Sequence, residues 1–241
     1  MHPYRIPDAL AERLMTRRGR LHPFESLDPL RTALVVIDMQ DAFCVPGMPL
    51  EVPAARGIAD NINALAHAVR EAGGIVVWVS MTVPTLADWP VYLEQMLAPD
   101  LARDVQRSLQ PGMPGHALWH GMAVDADKDL MLPKSRFSAF LPGSSDLAQR
   151  LRQRDIDTVL IAGTLTNVCC ESSARDAAMQ DFRVTMVSDA NAARADTDHA
   201  VALDMFLQAF GDVRTTAEAL ALVREGVRPD RTRAGEARTS S

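Results

Sequence analysis

Cys169 lies in the stretch TVLIAGTLTNVCCESSARD, residues 158–176, where a β-branched apolar run gives way to glycine, a short polar turn and a helix start. Asn167 is suited to be a helix N-cap, and Glu171 and Arg175 stand four apart, so the spacing predicts a helix beginning near Val168. Cys169 would then occupy the first helical turn, where free backbone N–H groups and the helix dipole favour the thiolate, the reactive form of cysteine. The plain alternative is a buried structural thiol, because free cysteine is among the most buried residue types. An activated nucleophile also needs a neighbouring base, which must come from elsewhere in the chain. Two residues are placed to help. Asp38 closes the apolar run TALVVID, and Lys134 follows DLMLP. A carboxylate can take a thiol proton, while an ammonium group orients both partners and favours the thiolate. Taken singly, Asp38 could be a turn cap and Lys134 a solvated lysine.

What decides between these readings is the set of elements that carries the three residues. TALVVID (residues 32–38) and IVVWVS (75–80) are continuous apolar runs of the kind buried on both faces. Between them residues 54–72 show helical spacing, with Ile58, Ile62, Leu65, Ala66 and Val69 on one face and Gly73-Gly74 as the stop. Strand, helix and strand in this order make a parallel βαβ unit with a right-handed crossover. Further strands are expected at 129–133, 158–162, 183–190 and 212–216, with helices at 144–154, 196–209 and 217–224. The alternation predicts an α/β fold, a mostly parallel, six-stranded, Rossmann-like sheet with helices on both faces. Ligands of such sheets bind beyond the carboxyl ends of the strands, and Asp38, Lys134 and Cys169 all follow strands there. They are expected to converge on one site.

Three segments stand outside this rhythm. Residues 1–30, with Pro3, Pro7, Pro23 and Pro29, read as an arm with a short helix over 8–17, lying on the body or on a neighbouring subunit, or else poorly ordered. Residues 81–129 hold five prolines, two tryptophans and one plausible helix over about 91–109, and read as an insertion over the active site or an oligomer contact. Residues 227–241, RPDRTRAGEARTSS after Val227, have almost no apolar side chains and are expected to be disordered. The domain proper is therefore 31–226.

Composition narrows the functions available. A chain of 241 residues with 47% apolar residues can bury a sizeable core in one domain. The net charge of -6 without a basic block disfavours nucleic acid and acidic membrane surfaces as partners. Cys44, Cys169 and Cys170 are an odd set with two adjacent, which argues against a disulfide framework and for a reducing compartment. The charged N-terminal stretch is not a secretory signal, and no run is long enough to span a bilayer, so a cytoplasmic location is expected.

The segments VVIDMQDAF, LPKSRFSAF and AGTLTNVCCESSARDA, in this order over residues 30–215, resemble the signatures of the isochorismatase-like cysteine hydrolases. The resemblance implies a three-layer α/β/α fold and, in the amidohydrolase members, an Asp, Lys and Cys triad falling on Asp38, Lys134 and Cys169. It also implies a cis peptide joining Thr164 to Leu165, with the N–H groups of Leu165 and Cys169 aimed at the substrate oxygen. The implied reaction is attack of the cysteine on a small amide, loss of ammonia or an amine, and hydrolysis of a thioester. Nicotinamidase-like members add an Asp and two His metal ligands soon after the first strand, but the corresponding CVPGMPLEVP has no histidine. The six histidines, at 2, 22, 67, 116, 120 and 199, form no convincing ligand set with it, so neither metal nor other cofactor is expected. Members acting on the vinyl ether of isochorismate lack the cysteine. The segments are closest to hydrolases of ureido or carbamoyl amides such as ureidoacrylate, biuret or triuret, with a nicotinamidase-like or other small-amide hydrolase as the alternative.

The pocket is expected to be lined by Gln40, Phe43, Arg136, Phe137 and Phe140, with Trp89 or Trp119 from the insertion. Gln40 and Arg136 could recognise urea-like or carboxylate oxygens. At least one of the three phenylalanines would be ordinary core. A thiol redox protein using Cys169 and Cys170 is disfavoured because adjacent cysteines rarely bridge and no CxxC is present; a non-catalytic binding module would keep the triad only as a relic. The arm and the apolar helices suggest a homodimer or homotetramer.

Overall fold

Each apolar run becomes a strand with side chains on both faces of the sheet, and each face is then covered by helices. This is the arrangement in a computed structural model that describes residues 2–226. The expected disorder of residues 227–241 lies outside the described residues. In chain order the elements are α1 (Asp8–Arg18), β1 (Thr32–Ile37), α2 (Asp41–Cys44), α3 (Ala59–Glu71), β2 (Ile75–Met81), α4 (Pro99–Leu109), β3 (Leu130–Lys134), α5 (Leu147–Arg152), β4 (Thr158–Thr164), α6 (Glu171–Met179), β5 (Arg183–Ala192), α7 (Asp196–Ala209), β6 (Asp212–Arg214) and α8 (Thr216–Gly226). The six strands lie in the order β3-β2-β1-β4-β5-β6, and every pairing is parallel.

Alternate residues of β1 divide between two cores. Leu34 and Val36 pack with Ile62, Leu65 and Val69 of α3 and with Ala219 and Val223 of α8. Ala33, Val35 and Ile37 pack toward α5, α6 and α7 through Leu147, Leu151, Ala174, Leu203 and Phe206. Each fully buried Leu, Ile or Phe on these faces contributes about 1.5–3 kcal/mol relative to an exposed position. The chain winds outward from β1 to β3, returns to β4 beside β1, and continues to β6, so the order reverses between β1 and β4. That reversal is the crevice where α/β sheets bind ligands.

The arm is held on the body: α1 buries Leu10 and Leu14 in the second core. The helix expected over 91–109 is instead two pieces, a π-helical turn at Val91–Gln95 and α4 from Pro99. Pro99 explains the break, since it forces Ala98 into an extended conformation (φ -61°, ψ 145°) and can only begin a helix.

Candidate active site

β1 and β4 end on either side of the crevice. Gly163 allows their close approach. It has φ 115°, and a Cβ there would stand 2.1 Å from the carbonyl oxygen of Ile37, so no other residue fits. The next residue, Thr164, donates its hydroxyl to the Asp38 carbonyl at 3.0 Å, and the Asp38 N–H donates to the Val79 carbonyl at 2.9 Å. These bonds hold Asp38 in a left-handed conformation, φ 53°, that only a minority of non-glycine residues adopt, aspartate more readily than most.

Lys134 ends β3, the edge strand, in register with Met81 of β2. Adjacent strands are about 4.8 Å apart, so its four-carbon stem must cross β2 to reach β1. It does so: Nζ lies 3.4 Å from the Met81 sulfur and 2.8 Å from Asp38 Oδ2. The same ammonium donates to the Arg136 carbonyl at 3.2 Å and to Cys169 Sγ at 3.5 Å. Asp38, Lys134 and Cys169 are all buried, and the lysine ion pair is the carboxylate's principal polar contact.

Cys169 does not follow a capped α-helix start. It lies in a π-helical turn, Thr166–Cys170, that precedes α6, with Leu165 rather than Asn167 at the cap position. The peptide between Thr164 and Leu165 is cis. The Leu165 carbonyl accepts from the N–H groups of both Val168 and Cys170 at 3.1 Å, which fixes the turn. Glu171 and Arg175 do pair, one turn apart on α6.

The electrostatics also differ from a resting thiolate. Burial pushes the Cys169 thiol up, and Asp38 adds to the rise while Lys134 opposes it. Burial likewise pushes the Asp38 carboxyl up against the pull of Lys134. For Lys134 burial works against the charge, but Asp38 and then Cys169 outweigh it and hold the ammonium above its usual range. Burial therefore raises both acids of the cluster, and Lys134 pulls each of them back toward its anion.

Around this centre the sequence-derived lining residues separate. Phe137 packs edge-on against Trp89 and Tyr92, whose rings lie 4.7 and 5.2 Å from it, and the Arg136 guanidinium sits 5.1 Å over the Trp89 ring. Gln40 cannot serve as a free recognition group: its amide donates to the Met81 and His116 carbonyls and accepts from the Met81 N–H, tying β2 to the insertion. Phe140 turns into the second core against Phe182, and Phe43 is buried in the first, so neither is an open wall. Trp119 packs against the first core with its ring edge toward His120.

Tyr92, which had no sequence signal of its own, joins the aromatic cluster of Trp89 and Phe137. Burial raises the Tyr92 hydroxyl, the charge of Cys169 adds to the rise, and Arg194 opposes it. Arg194 follows β5 at the same sheet edge. Among the described residues neither Arg136 nor Arg194 has a carboxylate partner. The strand-end rule could have found Arg194, had β5 been extended past residue 190.

His116 Nε2 is 2.9 Å from the Thr82 hydroxyl, and His67 pairs with Glu71 on the surface. Among the described residues no group of three or more His, Cys, Asp or Glu could hold a metal ion. Cys44, Cys169 and Cys170 are free thiols. No helix of the described residues is long and apolar enough to cross a membrane.

An all-parallel sheet with helices on both faces and a buried Asp–Lys–Cys cluster at its reversal defines an α/β cysteine hydrolase architecture. Residues 32–218 match the isochorismatase domain, and the chain belongs to that family. It is 29% identical over 196 residues to maleamate amidohydrolase of Pseudomonas putida, covering 80% of this chain and 87% of that protein. Among solved structures, a cysteine hydrolase from Pseudomonas syringae superposes with a TM-score of 0.75 at 32% identity, covering 84% of this chain and 97% of its own. N-carbamoylsarcosine amidase from Thermoplasma acidophilum gives a TM-score of 0.63 at 26% identity, covering 77% and 96%. The protein is thus a hydrolase acting on C–N bonds other than peptide bonds.

Proposed function

We propose that this protein cleaves a small linear amide bearing a carboxylate, of the carbamoyl or ureido kind, through a Cys169 thioester with release of ammonia or an amine. The observation that carries the reading is the buried contact in which Lys134 Nζ meets both Asp38 Oδ2 and Cys169 Sγ. Asp38 takes the thiol proton as Cys169 attacks the amide carbon. The site's net charge is unchanged by this transfer, because one anion replaces another beside the same ammonium. The N–H groups of Leu165 and Cys169 receive the tetrahedral oxyanion, each donor in comparable sites being worth about 3 kcal/mol. Asp38 returns the proton to the leaving nitrogen, the C–N bond breaks, and the acyl group stays on sulfur. Asp38 then deprotonates water, which hydrolyses the thioester to an acid and restores the thiol. Burial pushes the Asp38 carboxyl up, which suits a group that must both accept and return a proton.

The carboxylate reading rests on Arg136, whose guanidinium lies over Trp89 in an aromatic wall of Trp89, Tyr92 and Phe137, and on Arg194, which follows β5 at the same sheet edge; neither has a carboxylate partner among the described residues. A guanidinium binds a carboxylate through paired hydrogen bonds. The two named relatives, maleamate amidohydrolase and N-carbamoylsarcosine amidase, are named for small amides of this description. The test is ammonia release from maleamate, ureidoacrylate, carbamoyl amino acids, biuret, triuret and nicotinamide, with Cys169→Ala and chelator-treated enzyme alongside. Turnover of the anionic amides that needs Cys169 supports the reading. Wild-type turnover by Cys169→Ala, or activity confined to nicotinamide and lost with chelator, would overturn it.

A further inference from the structure

The N-terminal arm ends on the far side of the nucleophile turn. His2 is buried, with Nδ1 2.5 Å from Asp196 Oδ1 and Nε2 3.0 Å from both the N–H and the carbonyl oxygen of Ala193. In the tautomer whose Nδ1–H donates to the carboxylate, Nε2 accepts from the Ala193 N–H. The His2 ring stacks on His199, the centroids 4.8 Å apart, and Tyr4 closes the same ring edge-on while its hydroxyl donates to Asp204 at 2.8 Å. His199 is fully buried. Its Nδ1 lies 2.8 Å from the Thr166 hydroxyl, and its Nε2 has no partner.

One end of this stack meets the nucleophile turn and the other the segment before Arg194. Thr166 directly follows Leu165 and lies three residues before Cys169, in the same π-helical turn. Ala193 directly precedes Arg194. A buried, half-satisfied histidine is an expensive feature to keep, and here its one bond goes to the turn that presents the nucleophile. Burial holds the His199 ring neutral, so that bond does not change across the working range of pH.

We infer that the arm is a strap for the active site: His2 and His199 are positioning residues that fix, through Thr166 and Ala193, the Cys169 turn and the Arg194 segment. The inference rests on Cys169 being the nucleophile. Because misplacement of a reacting group by about 1 Å can cost 10²-fold in rate, loosening the Thr166 bond should lower kcat rather than merely soften the fold.

The test uses the full chain with Thr166→Val, Thr166→Ser, His199→Leu and His2→Ala. Each is measured for melting temperature, for kcat and KM on an anionic amide, and for the pH profile of Cys169 alkylation by iodoacetamide, read by peptide mass spectrometry. For Thr166→Val and His199→Leu we expect kcat to fall about tenfold or more at little-changed KM, with a displaced alkylation profile. Thr166→Ser, which keeps the hydroxyl, should restore kcat to within about threefold. His2→Ala should show a smaller loss of the same kind. Variants that melt lower but keep wild-type kcat and alkylation profile would reduce the arm to a structural anchor and overturn the inference. Wild-type turnover by Cys169→Ala would instead overturn the nucleophile assignment, and the strap with it.

Discussion

Asp38→Asn should move thiolate population and turnover in opposite directions, because the unpaired Lys134 favours the sulfur anion while no group remains to return a proton to the substrate. The substitution is isosteric, and asparagine also accepts the left-handed conformation at φ 53°, so the backbone bonds to Val79 and Thr164 can persist. What changes is charge. Lys134 is left buried without its carboxylate, and the Cys169 sulfur, 3.5 Å away, is the group that can supply a replacement anion. At an effective dielectric constant of 20, unit charges at 3.5 Å attract by about 5 kcal/mol. If about a third of that is realised, the thiolate population at neutral pH rises about tenfold. Falling nucleophilicity of the more acidic thiol offsets roughly half of this on a logarithmic scale, leaving alkylation about threefold faster. Amide turnover should meanwhile drop about 10²–10⁴-fold, since nothing remains to protonate the leaving nitrogen or activate water. The assay compares the iodoacetamide rate at Cys169 with kcat on the same preparation. Peptide mass spectrometry separates Cys169 from Cys44 and Cys170, which are buried free thiols as well. Alkylation slowed in step with turnover would refute the reasoning, because Asp38 would then be what sustains the thiolate at rest. Turnover near wild type would remove Asp38 from the chemistry altogether.

Three further outcomes follow from the same geometry. Arg194→Met should raise KM for an anionic amide about 10–100-fold, the worth of a charged hydrogen bond, while a neutral amide such as biuret is little affected; equal losses on both would dismiss the carboxylate assignment. Gly163→Ala drives a Cβ against the Ile37 carbonyl at a φ of 115°, and should lower stability by about 3 kcal/mol or more in urea melts; an unchanged midpoint would show that the two strand ends can separate freely. His199, held by burial at about 4 against an ordinary 6.5, gives stability that is whole above pH 6.5 and drains away toward pH 4, where the unfolded chain binds a proton that the native ring refuses. The loss should be on the order of 2–3 kcal/mol over that window, and His199→Asn should flatten the melting-temperature profile there; the same slope in the variant would place the titration elsewhere.

The sheet was legible because its strands are buried on both faces and therefore appear as unbroken apolar runs with punctuated ends. The ends mattered most. A strand boundary at Asp38, at Lys134 and before Cys169 locates all three residues at one edge without knowledge of any contact. The lining was less legible, since Phe137 and Phe140 sit three apart in one segment and only the packing decides that one meets Trp89 and the other Phe182. Gln40 has the chemistry of a recognition residue, yet the backbone groups of Met81 and His116 claim its amide. The π-helical turn has no signature in TLTNVCC that distinguishes it from a capped α-helix, and Asn167 misleads for that reason. His2 and His199 meet only because the arm folds back onto α7, a contact without local sequence cause.

The origin of the lysine on the edge strand is itself part of how the site works. A cation placed on β1 or β4 would sit at the end of a short backbone loop, with its charge fixed close to one partner. Reaching from β3 across β2, Lys134 arrives with its full stem extended over Met81 and its head between carboxylate and sulfur, anchored by the Arg136 carbonyl behind it. In the mechanism proposed above, that buried placement makes the two anionic states, Asp38 carboxylate and Cys169 thiolate, alternatives served by one ammonium. Moving the proton between them needs no change in net charge and no rearrangement of water. Burial, which raises both acids, then works in favour of the exchange because it acts on donor and acceptor alike.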